Sequence, residues 1–88
     1  MNIKVLGPGC AKCHALQKTA TEVVKELGID ATVEEVKDMT KIISYNVLMT
    51  PGLVINEQVV SFGKVPSKTE VTQLVINAMA KEEQTNGS

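Results

Sequence analysis

The sequence predicts an α/β fold with the element order strand, helix, strand, helix, strand, strand, helix. Three observations carry this. An alternating strand pattern at the N-terminus runs through a Gly-Pro-Gly break into a long amphipathic stretch and then a second strand. Because such crossovers are right-handed and join neighbours, these two strands form a parallel pair. Further on, two β-branched runs flank Asn56-Glu57-Gln58, as in an antiparallel hairpin, and the chain closes on a second amphipathic helix.

Taken in order, Asn2 to Leu6 alternates polar and apolar residues, with Ile3 and Val5 on one face. Gly7-Pro8-Gly9 then permits a tight, exposed turn. From Cys13, apolar or small residues recur at Leu16, Ala20, Val23, Val24 and Leu27, steps of three and four that define one helical face. Gly28 suits a left-handed cap, and Ile29 packs back on Val24. Ala31 to Lys37 is a weakly patterned, charged strand of the kind found at a sheet edge. Asp38 caps a short helix through Lys41, Ile42, Ile43 and Tyr45, which Asn46 ends because asparagine tolerates left-handed backbone. Leu53-Val54-Ile55 and Val59-Val60-Ser61-Phe62 form the hairpin. Ser67 and Glu70 have capping-box spacing, and Val71, Leu74, Val75, Ala78 and Met79 follow at helical intervals. The expected domain spans residues 1–81, with a polar, flexible tail over residues 82–88.

Eighty-eight residues make one small domain, expected to bury roughly 60–65% of the surface its unfolded chain exposes. With 43% hydrophobic residues, no Trp, one Phe and one Tyr, the core has to be aliphatic. A net charge of −1 and so few aromatics argue against nucleic-acid binding. No basic-then-apolar leader and no apolar run near ~18 residues is seen, so the expectation is a soluble cytoplasmic protein away from membranes, working as a monomer. In a reducing compartment a lone close pair of cysteines points to catalysis or metal binding rather than to a structural staple.

That pair is Cys10-Ala11-Lys12-Cys13, set where the first strand becomes a helix. A helix N-terminus carries unpaired N–H groups and partial positive charge, and both favour thiolate over thiol. Lys12 adds a cation between the sulfurs, and His14 lies one turn after Cys10; both are candidate tuners of Cys10. On the helical register Cys13 begins the buried stripe, while Cys10 stays exposed. Two small buried residues would be the bland reading, but the Gly-rich turn and the neighbouring Lys have no packing purpose. Cys10-Ala-Lys-Cys13-His14 also matches the string for covalent haem attachment, which requires export. The stronger competitor is a soft-metal carrier of the heavy-metal-associated type, holding Cu(I) or Zn on the same two thiolates. Its chain ends in a strand, whereas this one ends in a helix. Four ligands for a structural zinc are not to be found, and no resident cofactor or metal is expected.

Thr50-Pro51, just before the third strand, either rigidifies a turn or adopts a cis bond that turns the main chain of Thr50 outward near Cys10. The order of elements, Gly7-Pro8-Gly9-Cys10-Ala-Lys-Cys13, and Tyr45 to Asn56 with Thr50-Pro51 at its centre together resemble the small thioredoxin-like redox-active disulfide proteins. These are glutaredoxin-sized members of the thioredoxin superfamily, and the resemblance covers residues 1 to about 81. It implies a four-stranded mixed sheet flanked by three helices. By position it makes Cys10 the nucleophile, Cys13 the resolving cysteine and Pro51 a cis-proline facing them. The implied activity is thiol–disulfide exchange with a disulfide-containing protein substrate and a separate reductase, Thr50 pairing with the substrate chain. The Trp of thioredoxin's own motif is absent, and the features that hold glutathione in glutaredoxins are incomplete. A further reading is an electron relay for one dedicated partner, such as a reductase or an arsenic-handling enzyme.

Overall fold

The computed structural model describes residues 1–86. The elements are β1 (Asn2–Leu6), α1 (Ala11–Leu27), β2 (Thr32–Val36), α2 (Met39–Ser44), β3 (Gly52–Ile55), β4 (Gln58–Phe62) and α3 (Lys68–Asn86). The four strands form one mixed sheet in the order β2-β1-β3-β4. β1 pairs with β2 in parallel and with β3 antiparallel, and β3 pairs antiparallel with β4. The α/β class, element order and mixed sheet are those the sequence predicts, with the charged β2 at an edge.

Alternation along β1 and β3 divides the interior into two clusters. Ile3 and Val5 of β1 and Leu53 and Ile55 of β3 pack with Cys13, Leu16, Ala20 and Val23 of α1 and with Val71 and Val75 of α3. On the opposite face, Leu6 and Val54 pack with Ile42 of α2 and with Val47. Central strands buried on both faces read as continuous apolar runs, which is why β3 is buried at every position.

The caps follow the chemistry read from the sequence. Asp38 accepts a hydrogen bond from the Thr40 N–H at 2.8 Å, and Asn46 takes φ 62° just past α2. Gly28 takes φ 63°, and the Ile29 N–H donates to the Val24 carbonyl at 3.4 Å. The Glu70 N–H donates to Ser67 Oγ at 3.2 Å and the Ser67 N–H to Glu70 Oε1 at 3.4 Å, completing the capping box.

One expectation needs correction. The hairpin loop has two residues rather than three: Asn56 and Glu57 take φ 51° and 67°, and Gln58 already pairs with Ile55. Both residues left-handed is the geometry of the tight turn whose twist matches a hairpin. Glu57 lacks glycine's freedom but is gripped by Lys4 Nζ at 2.6 Å and by the Tyr45 hydroxyl at 2.7 Å. α3 runs to Asn86, past the expected boundary at residues 81–82. The last residues of the expected tail, 87–88, lie outside the described residues.

Candidate active site

β1 ends in the Gly7-Pro8-Gly9 turn. Gly7 donates its N–H to the Val36 carbonyl at 3.0 Å, which ties the turn to the end of β2. Gly9 then takes φ 89°, a left-handed value only glycine adopts freely, and this reverses the chain onto α1. Cys10 is the N-cap, with extended backbone at φ −75° and ψ 173°. Cys10 thus stands beside the free N–H groups of the first turn, and its side chain makes no capping hydrogen bond.

Cys10 is exposed and Cys13 is buried at 1% exposure. Both are free thiols, and their sulfurs lie 3.3 Å apart. The Cys10 thiol is pushed below its ordinary value, first by the Cys13 main-chain N–H and next by the Cys13 thiol, with the Lys12 N–H adding to them. The Cys13 thiol is pushed up, first by burial and then by its hydrogen bond to Cys10. The helix main chain and burial thus move the two thiols in opposite directions, the exposed one down and the buried one up.

Lys12 and His14, the expected tuners of Cys10, take up different surroundings. Lys12 contributes its main-chain N–H to Cys10, while its side chain is exposed. The imidazole of His14 lies with Nδ1 2.9 Å from Glu35 Oε1 on β2, a close approach rather than a well-aligned hydrogen bond. Glu35 faces α1 because it stands opposite Val5 in the parallel register. Its other oxygen is 3.6 Å from Lys37 Nζ, and the Lys37 side chain lies across Gly9. Glu35 had a legible signal: it follows Val33 by two, on the core-facing side of an edge strand.

The Thr50-Pro51 bond is cis, and Pro51 is buried. The Pro51 carbonyl accepts the Gly63 N–H at 3.0 Å, which joins this turn to the end of β4. Thr50 and the Cys13 sulfur both border the open side of Gly7, so the cis-proline turn and the dithiol meet at that glycine. Among the described residues, neither the N–H nor the carbonyl of Thr50 has an intramolecular hydrogen-bond partner. Beside it, Leu48 is 88% exposed, Met49 is exposed against Gly63, and Phe62 is exposed at the end of β4. Gly7, Leu48, Met49 and Phe62 are the residues that sequence reasoning missed here, because their roles depend on contacts between distant segments. Among the described residues no group of three or more His, Cys, Asp or Glu is arranged to hold a metal ion, and no helix is long and apolar enough to cross a membrane.

An exposed, acidified thiol at a helix mouth over a buried one, beside a cis-proline turn, defines a dithiol–disulfide redox protein. The family model for the thioredoxin domain matches residues 1–76, and the chain belongs to that family. A protein named thioredoxin from Methanothermobacter thermautotrophicus is 41% identical over 75 residues, covering 85% of this chain and 97% of that one. Another from Methanocaldococcus jannaschii is 37% identical over 71 residues, covering 81% of each. In fold, the chain is similar to thioredoxin 1 of the thermophilic eubacterium Thermosipho africanus, with a TM-score of 0.64 at 20% identity over 94% of this chain and 99% of that one. The protein is a thiol–disulfide oxidoreductase.

Proposed function

We propose that the protein reduces disulfides of protein partners through a mixed disulfide on Cys10, in the cytoplasm and as a monomer, with the dithiol as its only redox group. The observation that carries this is the opposite displacement of two thiols 3.3 Å apart, Cys10 downward and Cys13 upward. Cys10 thiolate attacks one sulfur of the target disulfide, forming the Cys10–target bond and releasing the other target sulfur as thiolate. Cys13 loses its proton to solvent and attacks Cys10 Sγ. The Cys10–Cys13 bond forms, the second target sulfur leaves, and the target has gained two electrons. A separate reductase returns two electrons to the pair. Substrate docking is supported by the unpaired main-chain groups of Thr50, available to an extended chain as in strand addition, and by the apolar rim of Leu48, Met49 and Phe62.

The test uses single-cysteine variants with a disulfide-bonded protein substrate. Cys10→Ser should abolish reduction, and Cys13→Ser should attack and accumulate the mixed disulfide. The soft-metal reading predicts instead that both variants lose Cu(I) affinity alike and that the wild type turns over no disulfide. That result would reject the reductase mechanism.

A further inference from the structure

Gly7 is buried and does not use left-handed backbone, so its lack of a side chain is not explained by conformation. Space explains it. A β-carbon built on Gly7 overlaps the Cys13 sulfur, while its next neighbours, Cys13 Cβ at 3.5 Å and Thr50 Cβ at 3.7 Å, are at ordinary contact distances. The turn cannot slide aside easily, because the Gly7 N–H is held by the Val36 carbonyl and the preceding residues are locked in β1 between β2 and β3. The side chain that must give way is therefore that of Cys13.

We propose that Gly7 is a positioning residue for the resolving step: its bare α-carbon seats the Cys13 sulfur within reach of Cys10. The proposal rests on the dithiol mechanism above and adds the residue that aims its second half. In resolution, deprotonated Cys13 attacks Cys10 Sγ, the Cys10–Cys13 bond forms, the Cys10–target bond breaks, and the target sulfur leaves as thiolate. The two sulfurs have to close from 3.3 Å to bonding distance, about 2.05 Å. Displacing the attacking atom by even ~1 Å can cost about 100-fold in such a step. The first step is affected differently. What lowers Cys10 most is the main-chain N–H of Cys13, which nothing at Gly7 replaces or blocks, and only the smaller contribution of the Cys13 thiol moves with the displaced sulfur. A methyl group at position 7 therefore separates attack from resolution.

The experiment is stopped-flow reaction of the reduced protein with dithiobis(nitrobenzoate), which releases one coloured thiolate when Cys10 attacks and a second when Cys13 resolves. Gly7→Ala should keep its first phase within about threefold of wild type and slow its second by about 10–100-fold. Two unchanged phases in a folded variant overturn the proposal, as does equal slowing of both. A wild type with no second release would instead refute the dithiol mechanism on which the proposal stands. If Gly7→Ala folds poorly, urea denaturation of a double-mutant cycle with Cys13→Ala decides the matter, since removing the sulfur leaves the new methyl group only ordinary contacts. The penalty of Gly7→Ala should largely vanish in the Cys13→Ala background. The same penalty in both backgrounds would show that Gly7 serves the turn and not the sulfur.

Discussion

Leu53 and Val54 are adjacent in the central strand β3 and both fully buried, yet they support different halves of the molecule. Leu53 shares its cluster with Cys13 and with residues of α1 and α3, while Val54 shares its cluster with Leu6, Ile42 and Val47 beside α2. Leu53→Ala removes three carbons from a site enclosed by a central strand and two long helices. Lost transfer energy of ~0.8 kcal/mol per carbon and a cavity that cannot collapse place the cost at about 3–4.5 kcal/mol. Val54→Ala removes two carbons next to a six-residue helix that can shift inward, and should cost about 1.5–2.5 kcal/mol. The larger loss is a substantial part of the ~4–13 kcal/mol expected for a domain of this size. The functional consequence is more specific. Burial is the main cause of the raised Cys13 thiol, so opening its cluster should make Cys13 ionise and react more readily. Urea midpoints would measure the stabilities, and iodoacetamide alkylation in a Cys10→Ser background would follow Cys13. Leu53→Ala should speed that alkylation while Val54→Ala should not. Equal destabilisation by the two changes, or equal exposure of Cys13, would refute the division into two cores.

Single-cysteine variants alkylated across pH 5–9 should show Cys10 reacting at lower pH than Cys13, and His14→Gln should leave the Cys10 profile nearly unchanged, because the imidazole faces Glu35. A marked loss of Cys10 reactivity in His14→Gln would establish the tuning role expected from its sequence position. Glu57 is held below the ordinary carboxylate value by Lys4 first and Tyr45 second. A depressed folded value means that its contribution is present above the unfolded carboxylate value and lost as pH falls through the folded one. The stability gap between wild type and Glu57→Gln should therefore narrow on acidification from neutral pH, as read from urea midpoints. Ser67→Ala removes the acceptor of the Glu70 N–H at the start of α3 and should cost about 1 kcal/mol, with a fall in Tm of about 4–8 °C.

What the sequence discloses depends on how local each cause is. Gly28, Asp38 and Ser67 mark helix ends through contacts within a few residues, so their roles were legible. Helical periodicity alone places Cys13 on the buried face, and it is buried. The hairpin loop was misjudged because a glutamate at φ 67° is locally unfavourable, and Lys4 and Tyr45, which hold it there, are distant in the chain. Sequence adjacency to Cys10 points to Lys12 and His14 as its tuners. The three-dimensional arrangement gives the leading role to the Cys13 N–H and sends His14 toward a strand that no local pattern connects to it. Gly7 looked like one more turn residue, since a collision avoided leaves no trace in composition.

The pairing of β1 with β3 joins Ile3 to Ile55, and Cys13 is covered by residues as late as Val71 and Val75. During synthesis the two cysteines therefore emerge long before the segments that make them different. A nascent chain ending before β3 lacks the residues of β3 and α3 that bury Cys13. The burial that raises Cys13 is complete only when α3 closes over the sheet, whereas the main-chain N–H that lowers Cys10 belongs to α1 itself. A copy in which α3 has not docked keeps the half of the difference that α1 supplies to Cys10 and lacks the half that burial supplies to Cys13.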